Sequence, residues 1–237
     1  MKRLRVPIAG VKGGVGKTTL ALYSALSLSR KYRVLLFDKD PLSFSSHVLG
    51  FDAPGFILSL YKKDLDEKNY FKSFNKLDVF KYFSDPLMDR DLFYKVYKTR
   101  EYERILADLF KGDYNIIIVD YGVVYDMFDE FTSYDYMIFR KYSSELNYKD
   151  NAVGVTDPSV ENIASTVKYA RTLVDSKMVD GVLAIVINMV PATEEESLKV
   201  IGTEIENIKR YLGSEVLIIP FLNELFSFAF IGEDLKK

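Results

Sequence analysis

Two lysines, three glycines and two threonines crowd into the segment Val11-Lys12-Gly13-Gly14-Val15-Gly16-Lys17-Thr18-Thr19. Glycines at this spacing let backbone N–H groups turn inward around an anion, and a helix beginning at Lys17 points its N-terminal dipole at the same spot. Lys17 can reach the β- and γ-phosphates of a nucleotide, and the Thr18 hydroxyl is a hard ligand suited to Mg²⁺. The chemistry is phosphate binding, with Gly13, Gly14, Val15, Gly16, Lys17, Thr18 and Thr19 as the cradle. Strict glycine-x4-glycine-lysine spacing fails at its first position, where Val11 stands.

Such a cradle needs a strand before it and a helix after it. Short apolar runs recur between longer helical patterns, which predicts a doubly wound α/β fold: one domain over 1–237 with a mostly parallel sheet and helices on both faces. Strands are expected at Arg5 to Ala9, Val34 to Phe37, Leu77 to Tyr82, Ile116 to Val119, Val153 to Val155, Val182 to Ile187 and Val216 to Ile219. Helices are expected at Lys17 to Lys31, Asp89 to Phe110, Ser159 to Asp175 and Thr193 to Leu212, with a terminal one within Asn223 to Phe230. Asp157-Pro158-Ser159 reads as a helix start, because the residue before proline is pushed out of the helical region and Ser159 can cap. Ligands of such sheets sit at the carboxyl ends of the strands. That rule selects Asp38-Lys39-Asp40-Pro41, then Asp120-Tyr121-Gly122, then Asn188. Read alone, the first of these is also an ordinary carboxylate turn with Pro41 setting φ.

Composition narrows the chemistry further. The 237 residues are 48% hydrophobic and carry a net charge of −2, so the core is large and no global basic field advertises nucleic acid. Cysteine is absent, which removes disulfides, thiolate zinc sites and iron–sulfur ligation. The single histidine, His47, cannot build a catalytic triad or a histidine metal cluster and reads as structural. The opening MKRLRVPIAG has too short an apolar part for a signal peptide, and no apolar stretch spans a membrane, so a cytoplasmic location is expected. Missing glutamine beside abundant Lys, Glu, Ile and Tyr suits a thermophilic source.

With its second lysine at Lys12, the phosphate loop resembles the deviant Walker A motif of the ParA/MinD group of ATPases, whose ParA branch also tolerates residues such as Val11. The segment Asp38 to Pro41 resembles the family's switch I, and Asp120, at the end of Ile116-Ile117-Ile118-Val119, resembles Walker B. The resemblance implies ATP and Mg²⁺ as cofactors, with Thr18 and Asp120 at the metal and Asp38 near it. Asp40 would position the attacking water, while Lys12 and Lys17 absorb charge on the transferred phosphoryl group. It further implies an ATP-dependent homodimer in which Lys12 reaches the neighbour's nucleotide, and hydrolysis that resets the dimer. Asn188 would read adenine through its amide, and Pro220 and Phe221 would lie along the base. The guanine signature Asn-Lys-x-Asp is absent, since Met189-Val190-Pro191 follows Asn188, so ATP is favoured over GTP.

The chain departs from its relatives after Asp120, where Tyr121-Gly122-Val123 replaces the usual x-Pro-Pro and puts the shape of the switch, and hydrolysis itself, in question. The aromatic-rich segment Tyr125 to Lys149 has no counterpart; a partner-binding lid and an ordinary helix or hairpin with core aromatics both fit it. No arginine finger is recognisable, so turnover is expected to be slow, about one per minute or less. Three outlets compete. DNA partition or cargo positioning would use nonspecific DNA, a stimulatory partner protein, and Lys95, Lys98 and Arg100 among Tyr94 and Tyr97, or Lys209 and Arg210. Membrane cycling is less favoured, because Phe226, Phe228 and Phe230 are accompanied only by Lys236 and Lys237. The third outlet is a metabolic or metallochaperone role on the same core, whose metal version suffers from the lack of cysteine.

Overall fold

Each apolar run is followed by a helix that carries the chain back, so successive strands enter one sheet in the same direction. The computed structural model describes residues 3–84, 89–122, 128–191 and 195–222. It contains β1 (Arg3–Ala9), α1 (Lys17–Ser29), β2 (Val34–Asp38), α2 (Phe44–Val48), α3 (Phe56–Lys62), β3 (Phe71–Phe74), β4 (Leu77–Lys81), α4 (Asp89–Val96) and α5 (Arg100–Lys111). β5 (Ile116–Asp120), α6 (Glu130–Ser143), β6 (Tyr148–Thr156), α7 (Val160–Asp175), β7 (Gly181–Val190), α8 (Glu195–Leu212) and β8 (Glu215–Pro220) follow. The strand order is β3-β4-β2-β5-β1-β6-β7-β8, parallel throughout except for the pairing of β3 with β4.

Alternation along the strands divides the core. Val34 and Leu36 of β2 with Ile116 and Ile118 of β5 pack against α1 and the turn after α2. Leu35 and Phe37 with Ile117 and Val119 pack against α3 to α6 through a cluster of rings that includes Phe56, Phe80, Tyr82, Tyr102 and Phe139. All five residues of β2, and all five of β5, are buried, the signature of strands covered on both faces. A third cluster, with Ile163, Ile185, Ile187 and Ile208, seats α7 and α8.

All seven predicted strands are present, most of them longer than their apolar runs. β6 begins at Tyr148, and Arg5 on β1 and Asp150 on β6, cross-strand neighbours, form a fully buried pair in which Arg5 Nη1 donates to both carboxylate oxygens at 3.0 and 3.1 Å. The predicted helix from Asp89 to Phe110 is two helices: Thr99 accepts from the Tyr102 backbone N–H and starts α5 afresh. The unforeseen β3 is an antiparallel edge strand joined to β4 through Asn75, which takes φ 56°. Ser159 caps α7 as expected. Tyr125 to Lys149 contributes α6, with Tyr134, Tyr136, Ile138 and Phe139 in the core, so this stretch holds a packed helix. The expected terminal helix within Asn223 to Phe230 and the tail beyond it lie outside the described residues, as does the start at Thr193. Among the described residues no helix is long and apolar enough to cross a membrane.

Candidate nucleotide site

Sheet register assembles the site. β5 lies between β2 and β1, with Asp38 opposite Asp120 and Asp120 opposite Ile8, so two carboxylates and the start of the phosphate loop meet at one carboxyl edge. The loop runs from β1 into α1, anchored by Val15, which is buried in the core. Gly16 takes φ 91° as the N-cap of α1 and lies so close to the Asn188 amide that a Cβ would overlap it. No acidic side chain lies in the first turn of α1 and no side chain caps it. Its free N–H groups are available to an anion.

The two lysines are disposed differently. Lys17 is buried, its Nζ donates to the Lys12 carbonyl at 2.6 Å, and burial pulls its pKa down against the attraction of Asp120 and Asp40. Lys12 is half exposed and pairs with Asp157 beyond β6 at 2.6 Å. Partial burial works against the Asp157 charge, but hydrogen bonds from Lys12 and Asn162 prevail and hold that carboxyl at about 2. One ammonium thus faces into the loop and the other faces out of it.

Asp38, Asp40 and Asp120 are all buried. Asp38 Oδ2 accepts from the Ser46 backbone N–H at 2.8 Å and from its hydroxyl at 2.6 Å, while Oδ1 is buried without a partner. Asp120 accepts from the Gly122 N–H at 3.2 Å and the Ser45 hydroxyl at 3.3 Å. The Thr18 hydroxyl reaches both Asp120 and Asp40. Burial first, and then the charge of a neighbouring aspartate, pushes Asp38 and Asp120 well above the usual carboxylate range, and burial also raises Asp40. A dication would relieve all three. Among the described residues no three carboxylates or histidines converge as direct metal ligands. Mg²⁺ would therefore take Thr18 and phosphate oxygens as ligands and meet the aspartates through water, which these residues fit.

Gly122, at φ 64°, brings the chain after Asp120 against Asp40: a Cβ there would stand 2.6 Å from Asp40 Oδ1. The departure from x-Pro-Pro thus places a glycine where a side chain would strike the water-positioning candidate. Asn188, expected to read adenine, braces the loop from behind through Nδ2 donating to the Val15 carbonyl at 2.9 Å. Pro220 ends β8 at the same edge of the sheet, two strands beyond β6, and Phe221 follows it with its N–H donating to the Val190 carbonyl. His47 is exposed and pairs with Asp52 at 2.7 Å on the surface.

Ser45 and Ser46, which hold the two strand-tip aspartates, carry no signal in the sequence beyond a serine pair after switch I. The first basic patch is engaged elsewhere: Lys98 pairs with Glu130 at 2.8 Å, and Tyr97 and Tyr94 donate to Glu130 and Asp129. In the second, Arg210 joins Lys168 and Arg171 around a groove between α7 and α8.

A family model described as the CobQ/CobB/MinD/ParA nucleotide binding domain matches residues 6–231. Among solved structures, the chain is similar to a Borrelia burgdorferi protein assigned to plasmid partition and bound to AMPPNP (19% identity, TM-score 0.65, 99% of this chain and 90% of that one). It is similar to the septum site-determining protein MinD of Pyrococcus horikoshii complexed with Mg-ADP (19% identity, TM-score 0.63, 99% and 86%). A third likeness is to the MinC:MinD cell division complex of Aquifex aeolicus (21% identity, TM-score 0.59, 97% and 86%). No match is found among curated proteins.

Proposed function

The chain belongs to the CobQ/CobB/MinD/ParA nucleotide-binding family, and on that premise we propose that it is a Mg²⁺-dependent ATPase that dimerises on ATP and times the positioning or partition of a cargo. The observation that carries this reading is the division between the lysines. Lys17 already faces the phosphate cradle from within, whereas Lys12 points out of the loop, half exposed and held by Asp157, and this supports a role for it at a neighbour's nucleotide once it leaves that pair.

In-line attack of water on the γ-phosphorus breaks the bond to the β–γ bridging oxygen and yields ADP and phosphate. Asp40, beside Thr18 and against Gly122, orients that water. Lys17 and the α1 N-terminus stabilise charge on the phosphoryl oxygens, and Lys12 adds a second ammonium across the interface. Thr18 and Asp120, with Asp38 nearby, are the residues that would hold Mg²⁺, which would supply charge neutralisation for the phosphoryl oxygens. A cytoplasmic location and a stimulatory partner protein accompany the reading, the latter in keeping with the MinC complex of the Aquifex relative.

Nonspecific duplex DNA is the favoured cargo contact. Lys168, Arg171 and Arg210 line the groove beside Glu204, with Arg171 paired to Asp175 at 3.0 Å, so the patch of one subunit is thin and a dimer would double it.

Light scattering tests the switch. Wild type with ATP and Asp40→Ala with ATP should be dimers, and wild type with ADP a monomer. Lys12→Ala with ATP should be a monomer that still binds nucleotide. A wild-type mass independent of nucleotide, together with full activity in Lys12→Ala, would remove the chain from the nucleotide-switched class.

A further inference from the structure

Lys39 stands between the two aspartates at the tip of β2, yet its side chain leaves the nucleotide site. Strand alternation sends Asp38 towards the phosphate loop with Leu36, and sends Lys39 with Leu35 and Phe37 to the opposite face. There its ammonium is buried, paired with Asp135 of α6, and donates to the Thr132 carbonyl at 2.7 Å. The rings of Tyr82 and Tyr121 lie 5.0 and 5.4 Å from it. A fully buried ammonium gives up its hydration, a cost that an apolar residue in this place would not meet. The arrangement calls for a reason other than packing.

Its connections supply one. The Tyr121 hydroxyl donates to Asp135 at 3.3 Å and accepts from Arg5 at 2.6 Å, which brings the residue after Asp120 into the same buried network. The Lys39 backbone N–H donates to the Asp120 carbonyl at 2.9 Å, and the next residue, Asp40, abuts Gly122. At its N-terminal end α6 is tied to α4 and the turn after it, because Asp129 accepts from Arg90 at 2.6 Å and Glu130 from Lys98 at 2.8 Å.

We propose that Lys39 is a positioning residue for phosphoryl transfer: its buried pair with Asp135 pins the β2 tip so that Asp38 and Asp40 face the nucleotide, and makes α6 a lever on the hydrolytic step. This rests on the ATPase reading above. Neither residue touches substrate. Loss of the pair should therefore act on the step that needs Asp40 and spare ground-state binding.

The test uses Lys39→Met, Asp135→Asn and the double variant, each measured for kcat, KM, affinity for a fluorescent ATP analogue and melting temperature. In the single variants kcat should fall at least about tenfold while analogue affinity stays within about threefold. The double variant leaves no charge unpaired and should recover melting temperature but not kcat. Unchanged kcat in the single variants, or kcat restored with melting temperature in the double, overturns the proposal and leaves the ATPase reading standing. A wild type without turnover overturns both. Amide exchange on the wild type covers variants that do not fold: residues 132–136 of α6 should change protection together with 38–42 between a non-hydrolysable ATP analogue and ADP. Indifference of α6 to the nucleotide also overturns the proposal.

Discussion

Replacing Gly122 with alanine separates the geometry of switch II from its chemistry. The new Cβ would stand 2.6 Å from Asp40 Oδ1, 3.1 Å from its Cγ and 3.3 Å from its Cα. The nearest of these is roughly 1 Å short of comfortable van der Waals separation. Rotation of the carboxylate relieves the first two contacts cheaply, and the backbone contact needs only a few tenths of an ångström. The overlap therefore displaces Asp40 more than it unfolds the protein. The positive φ adds about 1 kcal/mol of strain, worth roughly 2–4 °C in melting temperature for a chain of this size. A shift of about 1 Å in a positioning group costs on the order of 100-fold in rate, so kcat should fall 10- to 100-fold while ATP affinity changes little. Gly50→Ala is the control, since Gly50 has φ 65° and open space around its Cβ direction. It should lose the same few degrees and no activity. Equal kcat in Gly122→Ala and wild type, both folded, would show that Asp40 does not position the water.

Lys17→Ala should abolish binding of a fluorescent ATP analogue, because the buried ammonium is the main charge opposing the β- and γ-phosphates; unchanged affinity would refute the phosphate-loop assignment. Asp38 and Asp120 are pushed up to about 7 and about 6 from an unfolded value of 3.8. The native state thus binds more protons than the unfolded chain, and the stability these groups contribute is present below pH 3.8 and lost as pH rises through 6 and 7. Metal-free protein should be about 3 kcal/mol more stable at pH 5.5 than at pH 8, and Mg-ADP should shrink the difference; melting curves at the two pH values decide. ATP-bound protein should be retained on duplex DNA at low salt and released steeply as salt rises. Absence of retention at any salt concentration would set the partition reading behind the membrane and metabolic ones.

The phosphate loop and both strand-tip aspartates could be read from the sequence because a parallel strand buried on both faces is apolar to its last residue. The first polar residue after Phe37 or Val119 therefore marks the site edge. The buried pairs could not. Lys39 and Asp135, or Arg5 and Asp150, look like solvent-facing charges until the register of β1 with β6 and the packing of α6 bring them together. α6 is ambiguous in sequence because its apolar residues do not keep to one stripe: Tyr134, Tyr136 and Phe139 are buried against the core while Met137 among them is exposed. The break between α4 and α5 rested on Thr99, a helix-starting residue inside a pattern that otherwise continues.

The strand order also sets a timetable. Arg5 meets Asp150 across 145 positions of chain, and the brace behind the loop, Asn188 to Val15, spans 173. A chain emerging from the ribosome displays its phosphate loop long before β7 is made to complete the loop's surroundings, and contacts of such long range form slowly. Nucleotide capture by the complete site therefore waits for β7.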